Sequence, residues 1–366
     1  MIDLFTPFRI KGLELRNRFM RSATYDRMAD DRGRVTDASV ALYRCLAEGG
    51  VGLIVTGHTF ISPQGQAGVR QYGIYSDEVI PGLRHLTEVV HAAGGKIAVQ
   101  ISHAGINSRF LASQGITALA PSLKEDSQIP HREMTQEEVE ATIADYGSAA
   151  ARAREAGFDA VQLHGAHGFL MSQFLSALFN RRADRWGGSP ENRRRFHIQV
   201  VKEVRHRIGQ DYPILMKFGV MDDQGGGTTL EDGLEAARGM VAAGLDALEV
   251  SGGVGSRPTR AVPAGISEEE PYFRERTIAV KKAVSVPVME VGGIRSLAMA
   301  QAIVDSGEAD MVSLSRPLIR EPGLIARWQW ESQAPARCIS CSRCFRVMER
   351  EGFLGCYREL HPDATD

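Results

Sequence analysis

The sequence predicts an α/β protein built as one closed (β/α)8 barrel of the TIM type, and three observations carry that prediction. Short apolar runs alternate with amphipathic helical patterns about eight times along the chain, the signature of a parallel sheet covered by helices. No Pro/Gly/Ser-rich linker divides these units. A chain of 366 residues with 43% hydrophobic content is long enough to bury a barrel-sized core. A doubly wound open sheet is the architectural alternative.

The strands expected in order are 18–22, 51–56, 96–101, 160–164, 214–218, 247–251, 288–291 and 311–314, rich in Val, Ile and Leu as strands buried on both faces should be. The helices between them are marked by period and by caps. Val79, Leu83, Leu86, Val90 and Ala93 trace one apolar face. Val139, Ile143, Tyr146, Ala150 and Ala153 trace another. Thr135 and Glu138 have capping-box spacing, Ser189-Pro190 starts a fourth helix, and Thr229 with Asp232 starts a fifth.

Two places break the regular spacing. Residues 102–134, containing His103, Asn107, Arg109, Pro121 and Pro130, form a long loop after the third strand, a length typical of functional covers. Beyond Pro335 the pattern stops, so residues 1–334 are expected to form the barrel and 335–366 a cysteine-bearing extension packed on it. Acids and bases nearly balance at a net charge of −2, which argues against general attraction to nucleic acid or an anionic membrane. The amino terminus has no basic-then-apolar leader and no 18 apolar residues run together, so a cytoplasmic protein is expected, with a homo-oligomer permitted. Cys45 stands apart in a helix. Cys338, Cys341, Cys344 and Cys356 crowd into one segment, a pattern of metal or redox chemistry rather than of disulfides.

In a barrel, the polar residues after each strand converge on the carboxyl-terminal rim. Here they are Ser22-Ala23-Thr24-Tyr25, then His58, Gln100, His164 with His167, Lys217, Ser251, Gly292-Gly293, and Ser315-Arg316. The glycine pair and the arginine offer backbone donors and a fixed cation where barrels hold phosphate. Gln100 both donates and accepts, as a heterocycle with an N–H and a carbonyl requires. Lys217 suits a ring that becomes anionic on reduction, with a rim ion pair as its structural alternative. The apolar strand ending in His164-Gly165-Ala166-His167 presents two donors able to hold a substrate oxygen; a metal site or ordinary structural histidines are the other readings. The arginines at 181, 182, 185 and 193–195 alternate with acids and aromatic residues and are read as packing, not as a nucleic-acid surface.

Several segments in the correct order resemble the old yellow enzyme family: Leu15-Arg16-Asn17-Arg18, Val99-Gln100-Ile101-Ser102-His103-Ala104-Gly105, the run from His164 to Leu170, Asn180-Arg181-Arg182, Trp186 to Arg193, and Asp310 to Pro317. The resemblance covers residues 2–330. It implies FMN as cofactor, with Ser22, Ala23, Thr24 and Tyr25 along its edge and His58 beside it. Gln100 would bind its pyrimidine portion, Lys217 would lie near N1 and the C2 carbonyl, and Gly292, Gly293, Ser315 and Arg316 would hold its phosphate. His164 and His167 would grip the activating oxygen of an electron-poor alkene, with NADH or NADPH as hydride source.

The chain departs from that pattern at Phe169, where ene-reductases carry a tyrosine that protonates the substrate; either Tyr25, water or another lid residue supplies the proton, or alkene reduction is not the main reaction. Lys217 replaces a common arginine. The spacing Cys-x2-Cys-x2-Cys-x11-Cys is similar to the segment that holds a [4Fe–4S] cluster in dienoyl-CoA reductases and trimethylamine dehydrogenases, and structural zinc suits the same thiols. Other functions open at this point are a flavin dehydrogenase passing electrons to the cysteines, a non-catalytic flavin or electron-carrier barrel, and a metal-dependent aldolase or hydrolase. Substrate specificity is expected to lie in the loops 102–134 and 252–266.

Overall fold

In the computed structural model, which describes residues 2–256 and 271–361, eight parallel strands close into a barrel. They are β1 (Phe19–Arg21), β2 (Leu53–Val55), β3 (Ile97–Ser102), β4 (Ala160–Gly165), β5 (Ile214–Gly219), β6 (Ala247–Ser251), β7 (Val288–Val291) and β8 (Met311–Leu314). Each pairs with the next, and β8 returns to β1 through Val312 opposite Phe19. All eight expected strands are present, and the open-sheet alternative is excluded by that closure. A short strand, Thr59–Phe60, adds to the upper end of β3.

The helices outside are α1 (Asp37–Glu48), α2 (Ile80–Ala92), α3 (Gln136–Glu155), α4 (Pro190–Ile208), α5 (Leu230–Ala242), α6 (Arg274–Ala283), α7 (Leu297–Asp305) and α8 (Leu324–Trp330). The expected caps form. The Thr135 hydroxyl accepts from the Glu138 N–H while Glu138 accepts from the Thr135 N–H, and Ser189 and Thr229 accept from the N–H groups of Asn192 and Asp232. Each cap satisfies helix-start donors that would otherwise lack partners.

Apolar side chains sort into two cores. Val99, Val161, Met216, Phe218, Val250 and Val312 point outward to pack the helices. Met20, Leu53, Ala98, Ala160, Leu215, Ala247, Met289 and Met311 point inward and fill the amino-terminal floor. That floor is plugged by a hairpin, Phe8–Ile10 with Leu13–Leu15, whose Ile10, Leu13 and Leu15 belong to the same cluster. The hairpin is absent from the sequence expectation, although Phe-Arg-Ile-Lys-Gly-Leu-Glu-Leu alternates with period two around a two-residue turn.

The long loop at 102–134 has structure of its own: a turn at Gly105–Asn107, a short helix Arg109–Ser113, and a parallel pair of strands, Ala118–Ala120 and His131–Glu133. Part of the second specificity loop, from 257 on, lies outside the described residues. The cysteine-bearing extension lies over the carboxyl-terminal rim. The Ala336 N–H donates to the Arg295 carbonyl (2.7 Å), and the Leu354 N–H donates to the Asp26 carbonyl (2.9 Å). Arg27 and Arg70 donate to the carbonyls of Met348 and Gly352. Its helix α9 (Cys344–Glu351) buries Cys344, Val347 and Met348.

Candidate functional site

At the carboxyl-terminal end of the barrel lies a cavity of about 410 Å³, within the range of small-ligand and cofactor sites. Ser22, Ala23, His167, Lys217, Ser251, Gly292, Gly293, Ser313, Ser315 and Arg316 line it, together with Tyr272, Arg295, Ser340 and Phe345. Strands far apart in sequence therefore meet around one space.

One end of the cavity suits an anion. Gly292 and Gly293 both have backbone in the positive-φ region, φ 111° and 80°, which glycine adopts without strain, and both line the cavity. A Cβ on Gly292 would come within 2.4 Å of the Tyr272 ring. Arg316 stands beside them, donating to the Tyr272 hydroxyl (2.7 Å), the Ser340 carbonyl (2.9 Å) and the Ser342 hydroxyl (3.0 Å). Thr24 and Ser315 join their hydroxyls at 2.8 Å, tying the loop after β1 to that after β8.

Beneath the cavity runs a buried polar network. The Lys217 ammonium donates to the Ser22 hydroxyl (2.8 Å) and to Glu249 Oε1 (2.9 Å). Glu249 Oε1 also accepts from the Ser313 hydroxyl (2.7 Å), and its Oε2 accepts from Gln162 Nε2 (3.0 Å). Gln162 Oε1 in turn accepts from Gln100 Nε2 (2.7 Å). Burial opposes ionisation of Glu249, but the Lys217 charge and the donated hydrogen bonds together hold its carboxyl below the ordinary value. Lys217 thus makes both the rim ion pair and a cavity wall. Glu249, Gln162 and Ser313 are missing from the sequence expectation. A charge inside the strand Ala-Leu-Glu-Val-Ser, buried on both faces, was the available signal.

The histidines stand at the other end. His167 adopts left-handed backbone (φ 56°), a conformation that costs a non-glycine residue on the order of 1 kcal/mol. Gly168 follows it, and the side-chain amides of Asn107 and Gln173 hold the turn by donating to the Gly168 carbonyl. His167 Nε2 lies 2.9 Å from the Ser251 hydroxyl, and its N–H donates to the Gly252 carbonyl. The His164 ring is 6.0 Å from that of His167 and buried, and its Nδ1 has no partner among the described residues. Burial, then the neighbouring His167, His58 and Lys217, hold His164 well below the ordinary histidine value; burial and Lys217 lower His167 to about 3. Both imidazoles are neutral at pH 7, as suits donors to a developing oxyanion.

His164, Thr24, Tyr25, His58 and Gln100 lie outside the cavity lining: Thr24 joins Ser315 of that lining, the His164 ring lies 6.0 Å from that of His167, and Gln100, His58 and Tyr25 stand further back. His58 is 6.2 Å from the His164 ring, and burial lowers its pKa to about 4. Tyr25 sits 4.8 Å from His58 and donates its hydroxyl to the Val69 carbonyl; burial raises its pKa, so it keeps its proton. Phe169 packs 4.3 Å from His164 and 5.1 Å from His58.

Cys338, Cys341, Cys344 and Cys356 are soft donors of the right number for a thiophilic metal. Burial raises the thiol pKa of Cys338 and Cys344, the latter to about 11, and the neighbouring thiols add to it. As placed, however, they do not fit a metal: among the described residues, no group of three or more His, Cys, Asp or Glu could hold one. Nor, among the described residues, is any helix long and apolar enough to cross a membrane. The arginine-rich stretch is built into the fold, with Arg182 buried on the carbonyls of Pro121 and Met134 and Arg193 on that of Leu175.

Comparison with known proteins adds the following. The family described as NADH:flavin oxidoreductase / NADH oxidase matches residues 3–334. The chain is 36% identical over 352 residues to an NADH oxidase of Thermoanaerobacter brockii, covering 93% of this chain and 53% of that protein. It is also 36% identical over 320 residues to an NADPH dehydrogenase of Geobacillus sp. (strain WCH70), covering 87% and 91%. Among solved structures it is similar to a 2-naphthoyl-CoA reductase complexed with 2-naphthoyl-CoA, with TM-score 0.87 and 28% identity over 96% of this chain and 56% of that one. Morphinone reductase in complex with tetrahydroNAD gives 0.74 and 29%, over 91% and 92%. The chain therefore spans about half the length of the NADH oxidase and of the naphthoyl-CoA reductase.

Proposed function

The chain belongs to the NADH:flavin oxidoreductase / NADH oxidase family, that of the old yellow enzymes, and from that premise we propose that it is an FMN-dependent enzyme that uses NAD(P)H to reduce an activated C=C bond. The observation that carries the reading is the cavity itself, which joins an anion cradle at Gly292, Gly293 and Arg316 to Lys217 and His167, with the His164 ring 6.0 Å from that of His167. Bound there, FMN would supply the redox chemistry, hydride exchange between NAD(P)H and an activated alkene.

The chain's own residues do the rest. Gly292, Gly293, Ser315 and Arg316 bind the phosphate, and Ser22, Ala23, Thr24 and His58 line the flavin edge. Gln100 recognises the pyrimidine portion, and Lys217 stabilises negative charge next to it. Neutral His164 and His167 donate to the substrate's activating oxygen, so that charge leaving the carbon skeleton meets fixed donors. We assign the return of a proton, in place of a tyrosine at 169, to Tyr25, which keeps its proton and packs 4.8 Å from His58. The reductases of 2-naphthoyl-CoA and morphinone among the similar structures support a conjugated, carbonyl-activated substrate.

Purified protein should be yellow, release FMN on denaturation, bleach with NADH or NADPH, and recover its colour on adding an enone, nitroalkene or quinone. A preparation that neither carries nor takes up FMN overturns the proposal. Recolouring by oxygen alone across a panel of such acceptors overturns the alkene reading. No step passes through the cysteine segment. Iron and zinc analysis of anaerobically purified protein, with Cys341→Ser as control, tests whether it takes up a [4Fe–4S] cluster or zinc. Five titratable thiols, Cys45 among them, without metal overturn both.

A further inference from the structure

The polar network under the cavity is more than support for Lys217, because Glu249 decides the direction of the relay that runs from it through Gln162 to Gln100. An ionised carboxylate can only accept. Gln162 must therefore turn its amide nitrogen toward Glu249 Oε2 (3.0 Å), which leaves its carbonyl oxygen facing Gln100. Gln100 must then give its own nitrogen to Gln162 (2.7 Å), which leaves its Oε1 and one remaining N–H for a ligand. The same carboxylate carries the counter-charge of Lys217 at 2.9 Å, and Ser313 donates to the shared oxygen at 2.7 Å. Lys217 and Glu249 are in register on adjacent strands, as are Gln100 and Gln162, so the chain of contacts is built into the barrel pairing.

We propose that Glu249 is the positioning residue of this site: it fixes the amide polarity with which Gln100 meets the heterocycle, and it lowers the electron affinity of bound FMN by neutralising Lys217. The inference rests on the FMN reading above. Two separable consequences follow. The Gln162 relay governs how well the oxidised ring is recognised. The Glu249 charge governs how much more tightly the reduced, anionic ring is held than the oxidised one, and by linkage this ratio is the shift in reduction equilibrium.

The test is reductive titration of FMN-loaded protein against dyes of known potential, with FMN affinity measured alongside. Glu249→Gln removes a negative charge beneath the ring. The reduced-to-oxidised ratio at a fixed potential should rise about tenfold or more, equivalent to about 30 mV for a two-electron couple. Gln162→Leu keeps both charges and breaks the relay, but it also takes one donor from Glu249, so FMN should bind several-fold more weakly while the ratio falls by no more than a few-fold, opposite in sign to Glu249→Gln. Glu249→Asp, which keeps the charge, should restore most of the wild-type potential. A merely structural role would lower melting temperature and FMN content without moving the potential. Should Glu249→Gln fail to accumulate, Ser313→Ala takes its place: with one donor gone the carboxylate is less dispersed, and the ratio should fall a few-fold. FMN-replete variants with the wild-type potential overturn the inference while leaving the FMN reading intact. Wild-type protein that takes up no FMN overturns both.

Discussion

On the inside of the barrel, Met20, Leu53, Ala98, Ala160, Leu215, Ala247, Met289 and Met311 form an apolar floor. Two residues further along the same strands stand Ser22, Val55, Gln100, Gln162, Lys217, Glu249, Val291 and Ser313. The two-residue step keeps every side chain on the inner face, yet six of the eight strands pass from apolar to polar in that step. The floor is closed by Ile10, Leu13 and Leu15 of the hairpin and needs no further partner. The upper layer is joined by bonds among its own side chains, Gln100 to Gln162 and Lys217 to Glu249 on adjacent strands and Gln162 to Glu249 over the strand between them, and Ser22, Lys217 and Ser313 of that layer line the cavity. One end of the barrel holds the fold together, and the other is arranged for a ligand.

Substitutions at the two ends should separate those roles. The largest effect is expected at the floor. Leu215→Ala, at a fully buried position, should lose about 2–5 kcal/mol of stability in denaturant unfolding while the loaded protein keeps its flavin spectrum. A spectrum that changes with stability would break the division between the ends. Next, His164→Ala should reduce the rate of reoxidation by an enone by roughly 10²–10³-fold, the usual loss for one oxyanion donor, with little change in melting temperature. Equal loss in the reduction step by NAD(P)H would move His164 away from the substrate oxygen.

A third prediction sharpens the contrast within buried carboxylates. Glu249 has three donors, whereas Glu290 on the next strand has both oxygens buried without a partner among the described residues, and burial, with repulsion from Glu308, raises its pKa to about 8. Its folded-state pKa lies above the unfolded value, so the native state binds the proton more tightly. Its contribution to stability is present below pH 4.5 and is lost as the pH rises toward 8, at up to about 1.4 kcal/mol per pH unit. Glu290→Gln should flatten that part of the stability profile; an unchanged slope would place the titration elsewhere. The smallest effect is expected for Phe169→Tyr, which should raise enone turnover several-fold where protonation limits the rate. Unchanged oxidative kinetics would leave proton delivery to Tyr25 or water.

Much of this was legible along the chain. The eight strands are runs whose burial on both faces demands Val, Ile and Leu, and the caps at Thr135, Ser189 and Thr229 are local donors and acceptors three residues apart. Lys217, His167, Gly292, Gly293 and Arg316 were legible because each follows a strand, and strand ends of a barrel share one rim. The floor hairpin was missed although its alternation is plain, since three-residue strands fall below the length at which periodicity stands out. Tyr272, Ser340 and Phe345 reach the cavity from segments whose course no local pattern reveals.

The sequence by itself determined the barrel, its direction, and the residue types at the rim, because period, caps and strand-end position are properties of neighbours along the chain. Only the tertiary structure decided which of those residues meet. Glu249 bonds Gln162 and Ser313 across 87 and 64 residues, and Lys217 reaches Ser22 across 195. Those contacts depend on the stagger with which the sheet closes. Closure is a property of all eight strands together, so the partners of Glu249 appear only once the barrel is whole.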